Sequence, residues 1–133
     1  MKLQRNIALN IGLTLIALAA LACGKVDNST PTQTFQTFYN AVKSKDTKTI
    51  KSLMMSKELA EIEKEMKEKN KSVEDWLTEN MNEMASDLPE KMPETRNEKI
   101  EGDRATLEAK DAKQDKWRTV SFKKESDGWK INL

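Results

Sequence analysis

The chain contains no histidine and only one cysteine, Cys23, among its 133 residues. The missing imidazole excludes Ser-His-Asp and Cys-His nucleophile systems and every metal site built on histidine. A single cysteine also excludes an intramolecular disulfide. Proton transfer near neutral pH would have to use carboxylates, lysine or tyrosine. We therefore expect a protein that is not an enzyme and that needs no cofactor.

Aromatic side chains are also scarce: three Trp, three Phe and one Tyr, in a chain that is 34% charged. Such a composition predicts a small core and modest stability. We expect Phe38, Trp76 and Trp129 to be buried contacts between helices and sheet. The four glycines and three prolines are scattered, and the sequence contains no glycine-rich phosphate loop, internal repeat or metal-ligand cluster.

The first long feature is an apolar run over residues 7–22, preceded by Lys2 and Arg5. No acidic residue occurs before Asp27. A basic start followed by an apolar segment is the pattern of a secretory signal. The alternative is an uncleaved membrane helix, but such a helix needs about 20 predominantly apolar residues. This run is shorter and ends in small residues.

The end of the run, Ala20-Leu21-Ala22-Cys23, resembles the lipobox of bacterial lipoproteins. The resemblance implies a signal peptide over residues 1–22, cleavage between Ala22 and Cys23, and a diacylglyceryl group on the Cys23 thiol. Ala20 stands where the family usually has Leu. Small residues at this point would also suit an ordinary signal peptidase.

Lipidation implies a protein that is anchored to a membrane without spanning it. Two or three acyl chains hold a protein stably on a membrane, whereas a single chain holds it only marginally. Residues 23–30 are then the lipidated cysteine and a polar tether. In diderm bacteria an Asp after the cysteine signals inner-membrane retention. Gly24 stands there, so the resemblance favours the outer membrane, facing the periplasm, if the host is diderm.

Charge argues against nucleic acid as a partner. The whole chain has a net charge of +1, and loss of Lys2 and Arg5 leaves 21 basic residues against 22 acidic ones, or −1. Nucleic-acid binding is driven by neutralisation of phosphates and needs a basic surface. The membrane, reached through the N-terminal lipid, is the partner that the sequence supports.

Residues 31–133 predict a single domain that begins with helices. Thr30 suits the N-cap and Pro31 the first helical position. Asp46 and Ser56 are predicted to cap a second and a third helix, and Ser72 precedes the acidic first turn of a fourth. Apolar residues at three- and four-residue spacing mark the inner faces of these helices: Phe35, Phe38, Tyr39, Val42; Ile50, Leu53, Met54; Leu59, Ile62, Met66; Val73, Trp76, Leu77, Met81, Met84, Leu88.

After Pro89 and Pro93, apolar and polar residues alternate with a period of two. Alternation predicts strands over residues 96–100, 105–110, 117–124 and 129–133, with turns at Gly102 and at Asp127-Gly128. Helices followed by an antiparallel meander indicate an α+β fold, with the helices packed on one face of a curved sheet.

The order of elements resembles the nuclear transport factor 2-like superfamily, a cystatin-like cone in which a sheet wraps around helices. More narrowly, it is similar to uncharacterised domain-of-unknown-function lipoproteins of that superfamily. The likeness rests on residues 35–42, on Lys45-Asp46 and on residues 127–131. Enzymes of the superfamily usually place a His or Asp in the cone. This chain has no His, so the resemblance implies no activity.

Three functions remain open. The leading one is a lipid-anchored, non-enzymatic module of the cell envelope that binds a protein or small ligand in the cleft between sheet and helices. The alternative is a small envelope enzyme that uses carboxylates in the cone cleft, with Glu98 and Glu108 as candidates. A third is an accessory lipoprotein that uses the charged third helix as a contact surface. We expect no carboxyl group with a strongly raised pKa in a cleft.

Overall fold

A computed structural model describes residues 26–111 and 113–133 of the chain. Within these residues, helices come first and a curved antiparallel sheet follows, which confirms the predicted α+β class. The elements are α1 (Pro31–Ser44), α2 (Thr47–Leu53), α3 (Ser56–Glu68), α4 (Val73–Asp87), β1 (Thr95–Glu101), β2 (Arg104–Asp111), β3 (Lys116–Glu125) and β4 (Gly128–Ile131).

Side-chain caps fix the beginnings of three helices. The Thr30 hydroxyl accepts a hydrogen bond from the backbone three residues on, and Pro31 follows at the first helical position. The Asp46 carboxylate does the same at α2. At α4, Ser72 and Asp75 form a reciprocal capping box. Each cap satisfies an N–H that the first helical turn leaves without a partner.

The predicted cap of α3 is wrong. Met55 occupies the cap position and makes no side-chain bond, while Ser56 is already helical. The free N–H is satisfied from the sheet instead: the Ser56 backbone donates to Glu125 Oε1 (3.0 Å), and its hydroxyl donates to the other oxygen of the same carboxylate. A cap supplied 69 residues away leaves no local sequence signal.

The sheet runs in the order β1-β2-β3-β4, with every neighbouring pair antiparallel. Ala105 pairs with Phe122 and Leu107 with Val120, so these residues share the face that is covered by helices. Register shifts within β1, where Asn97 has a φ of +53°. An irregularity of this kind bends a strand and increases its twist.

The core lies between this sheet face and α1, α2 and α4. Phe38 and Trp129 are buried in it, at 8% and 3% exposure, which confirms their prediction. Trp76 is only half-buried, so its prediction is wrong. It packs on the edge of the core beside Ile62 of α3, where a surface groove leaves part of the ring uncovered.

The last strand ends earlier than predicted. β4 stops at Ile131, and Leu133 lies outside it with 53% of its surface exposed. Met54, just after α2, forms an isolated parallel bridge with Ile131. The segment after α2 therefore lies along the outer edge of β4, and the buried side chains of Met54 and Ile131 close the core there.

Residues 26–30 pack against the domain ahead of α1. Val26 packs on the core, and the carbonyl of Asp27 accepts a hydrogen bond from the Thr37 hydroxyl (2.7 Å). The carbonyl of Asn28 accepts one from the Trp129 backbone N–H (2.9 Å). The chain is thus already packed on the domain at Val26, the first described residue, five residues before the first helix.

Candidate functional site

The candidate processing and lipidation residues, Ala22 and Cys23, lie outside the described residues. The part of the chain that the structure describes contains no helix long and apolar enough to cross a membrane. The candidate functional sites in the described residues are therefore the clefts of the domain and the carboxylates near these clefts.

A cleft of about 530 Å³ opens at the end of the sheet where β2 passes into β3. Its apolar floor comes from α1, from the end of the helical half and from the inner sheet face: Phe35, Leu88, Ala109 and Val120. Pro89 and Pro93 form one wall, because they end α4 and lead the chain across to β1. This apolar floor makes the cleft the best candidate for a ligand site in the described residues.

The rim of the cleft is charged. Asp111 accepts a hydrogen bond from Arg118 Nε (2.7 Å) and others from the backbone N–H groups of Lys113 and Gln114. The bond from Arg118 is the main reason that the pKa of Asp111 lies below its usual range. Lys113 also lies 3.8 Å from Asp87. Each acid of the rim thus faces a cation, which favours its ionised form.

The two carboxylates predicted as candidates are not brought together. Glu98 accepts hydrogen bonds from the backbone N–H (2.8 Å) and hydroxyl (2.6 Å) of Thr32, so it caps the first turn of α1. Glu108 lies on the outer sheet face and accepts from Arg96 (2.8 Å) and Asn97 (2.6 Å). These bonds lower the pKa of Glu108. Neither carboxylate lines the cleft.

Glu58 of α3 is the acid that the sequence analysis missed. Burial raises its pKa above the ordinary 4.5, while the backbone N–H of Leu133 acts in the opposite direction. Its Oε2 atom is buried and makes no hydrogen bond within the described residues. The sequence signal for this burial is the spacing: Glu58 stands four residues before Ile62, so the two side chains share the apolar face of α3.

Glu58 lines a second, shallower groove of about 390 Å³ with Met54, Ile62, Trp76 and Leu133. Two further acids of α3, Glu61 and Glu65, stand on its rim. The first cleft lies at the opposite end of the helical layer, and the two sets of lining residues share no member. Among the described residues, no group of three or more acidic, histidine or cysteine side chains is placed to hold a metal ion.

The outer face of the sheet carries an aromatic–cation cluster. The Arg96 guanidinium lies 3.9 Å from the centre of the Trp117 ring, and Lys110 Nζ lies 5.4 Å from it. Lys110 in turn pairs with Asp115 at 2.5 Å. The two cations cover the half-buried Trp117 ring and are themselves paired with Glu108 and Asp115, a stabilising arrangement that leaves little for a ligand.

Comparisons with protein-family models, with curated proteins and with solved structures found no match for this chain.

Proposed function

We propose that this protein is a lipid-anchored component of a bacterial cell envelope, held through acylated Cys23, whose domain is a non-enzymatic binding module. The anchor is supported by the apolar run over residues 7–22 and by the lipobox-like sequence from Ala20 to Cys23. The outer membrane, facing the periplasm, is the proposed location if the host is diderm. The lipid and a bound protein or small ligand are the proposed partners.

The observation that carries the binding function is the cleft at the β2–β3 end of the sheet. Its volume of about 530 Å³ falls in the range of sites that hold small ligands. Helices packed on one side of a curved antiparallel sheet, with a cleft at one end, also support the finer proposal of a nuclear transport factor 2-like cone.

The enzyme alternative rests on one observation, the buried oxygen of Glu58. A pair of acids with divergent pKa values would be needed for acid–base work. Repulsion from Glu61 also raises the pKa of Glu58, but it contributes less than burial does. The two earlier candidates, Glu98 and Glu108, are engaged in capping and in an ion pair. We therefore prefer binding to catalysis.

Anchoring is tested by mass spectrometry of the N-terminus of the protein purified from membranes. The expected product begins at Cys23 and carries a diacylglyceryl mass. Cys23→Ser should remain uncleaved or be released without lipid. An unmodified Cys23, or cleavage elsewhere, would overturn the lipoprotein proposal.

Binding in the cleft is tested by photo-crosslinking in native membranes. A photoreactive amino acid replaces Gln114, which is exposed on the cleft rim, and in a matched variant it replaces Thr119. Thr119 is exposed on the same strand pair but faces the outer side of the sheet, opposite Glu108. A defined adduct with Gln114 and none with Thr119 supports the proposal. Equal labelling at both positions contradicts it.

The enzyme alternative is tested by NMR titration of residues 24–133. We expect the pKa of Glu58 to lie above the ordinary 4.5, because burial partly desolvates its carboxylate. Glu58→Gln assigns the signal. A Glu58 carboxyl that still titrates near neutral pH, where a general base works best, would make the carboxylate enzyme the preferred function.

A further inference from the structure

The docked segment at Val26 limits how the domain can sit on a membrane. Val26 is packed on the core, and the following two residues are hydrogen-bonded to α1 and β4. The folded body therefore holds the chain firmly only a short distance after the proposed lipid. Val26 follows Cys23 by three positions, with Gly24 and Lys25 between them, and three extended steps of the chain span at most about 11 Å.

That span is small compared with the domain. A domain of this size has a radius of gyration of about 13 Å. A tether shorter than this radius cannot let the body turn its far side towards the bilayer. The surface around Val26 must then lie against the lipid headgroups whenever the acyl chains are inserted.

The surface around Val26 is defined by two open grooves, of about 650 and 240 Å³, that both include this residue. One groove contains Asn28, Lys124 and Asp127 from the segment before α1 and the β3–β4 turn. The other contains residues of α1 and of the start of α2: Thr37, Asn40, Ala41, Ser44, Asp46 and Thr49. We call these residues together the Val26 face. The face is mostly polar. Its one lysine, Lys124, lines the first groove together with Asp27, Glu125 and Asp127, so the face has no basic patch that anionic lipids would attract.

The candidate ligand cleft lies on the other side of the domain. On β3, Arg118 of the cleft and Lys124 of the Val26 face are six residues apart, which corresponds to about 20 Å at 3.3 Å per residue. On α1, Thr37 and Ser44 face Val26 while Phe35 faces the cleft. These positions are separated by about 160–180° around the helix, at 3.6 residues per turn.

We infer that the lipid-anchored protein rests with the Val26 face on the bilayer headgroups and opens its cleft away from the membrane. This inference rests on the proposed acylation of Cys23. It means that a ligand or protein segment reaches the cleft from the aqueous compartment and not from the lipid. The short, docked connection fixes this orientation, and charge attraction to the membrane surface is not required.

The test measures how close each side of the acylated protein comes to the headgroups. Acylation consumes the thiol of Cys23, the only cysteine in the chain, so an introduced cysteine can be labelled alone. Asn40→Cys places a fluorophore on the Val26 face, and Gln114→Cys places it on the cleft rim. Both positions are exposed. The full lipidated variants are reconstituted in phosphatidylcholine vesicles that carry a nitroxide on the headgroup.

We expect several-fold stronger quenching at Asn40 than at Gln114, unchanged in high salt. Equal quenching, or stronger quenching at Gln114, would overturn the inference. A ten-residue Gly/Ser insertion after Gly24 lengthens the tether to a root-mean-square span of about 20 Å and should reduce the difference markedly. A difference that persists with this insertion would show that the tether does not set the orientation.

Failure of the underlying proposal is distinguishable. Mass spectrometry of each purified variant reports acylation before reconstitution, and a chain without lipid would refute both the anchor and the orientation. An acylated chain with equal quenching at the two positions would refute the orientation alone. Thermal denaturation of the two labelled variants, compared with the unlabelled protein, verifies that both retain the fold.

Discussion

A buried lysine at the β3–β4 turn gives the sharpest test of the fold. Lys130 is 4% exposed, and its ammonium donates hydrogen bonds to the backbone carbonyl of Ser52 (2.5 Å) and to Asp127 Oδ2 (2.6 Å). It thus joins the end of α2 to the turn that precedes β4. We consider Asp127→Asn, Lys130→Met and the double variant.

The expected magnitudes follow from exposure. Removing the partner of a fully buried charge costs about 3–5 kcal/mol, but the Asp127 side chain is 66% exposed and water screens the pair. Asp127→Asn should therefore cost about 1 kcal/mol. Lys130→Met keeps an unbranched stem but leaves the Ser52 carbonyl without its donor, a loss of about 1–2 kcal/mol. When Lys130 is already replaced by Met, Asp127→Asn should cost almost no further stability. The interaction energy between the two residues in this double-mutant cycle is then about 1 kcal/mol.

The assay is urea denaturation of residues 24–133, followed by tryptophan fluorescence at pH 7 and at lower pH. The bond from Lys130 holds the pKa of Asp127 below its ordinary 3.8. A depressed pKa in the folded state contributes stability above the unfolded value, and this is lost as the pH falls through the folded value. The gap between the wild type and Asp127→Asn should therefore stay constant from neutral pH to about 5 and close below about 4.

Two results would refute this reasoning. One is an Asp127→Asn penalty of the same size in the presence and absence of Lys130, which would place the effect in the turn itself. The other is a penalty that survives after the pH has fallen below the folded-state pKa of Asp127, where the protonated Asp127 and its Asn replacement are both uncharged.

Three further predictions concern packing and caps. Trp129→Ala should lower the free energy of unfolding by about 3–5 kcal/mol, because the Trp129 ring is buried in the core. Trp76→Ala should lower it clearly less, because the Trp76 ring is half-exposed. Equal denaturation midpoints for the two variants would contradict the packing. Gly128→Ala should lower the melting temperature by several degrees, since Gly128 has a φ of +123° and an added Cβ would meet the Asn28 side chain at 2.5 Å. An unchanged melting temperature would show that the turn relaxes. Glu98→Gln should lower the free energy of unfolding by about 1 kcal/mol, because it weakens the cap of α1. A loss as large as that of a core truncation would point to a role beyond capping.

Local signals account for most of the elements that the sequence predicted. The helix beginning at Pro31 follows from Thr30 and from an apolar stripe with a period of 3.6, and both depend on neighbours within one turn. The strand of Ala105 and Leu107 follows from an alternation with a period of two. Such patterns need no knowledge of the rest of the chain, so the α+β class was predictable from the residues alone.

Long-range contacts account for the errors. Glu125 caps α3 from the far end of the sheet, and Glu98 caps α1 from β1, so the roles of these acids cannot be read from their neighbours. Trp76 was predicted from its spacing on α4, but its burial depends on how closely α3 covers it. Glu58 lies in the charged sequence of α3, and only the packing of α3 against the core edge buries its Oε2 atom.

The sequence by itself determined the order of helices and strands, the exclusion of histidine and disulfide chemistry, and the expectation of a lipidated Cys23. These properties depend on residue identity and on spacing over a few positions. Only the tertiary structure decided that residues from α1, from the end of α4 and from β2 and β3 meet in one cleft, with the Val26 segment docked on the opposite side. Surfaces of this kind form when segments far apart in the chain pack together, and that packing minimises exposed apolar area over the whole domain.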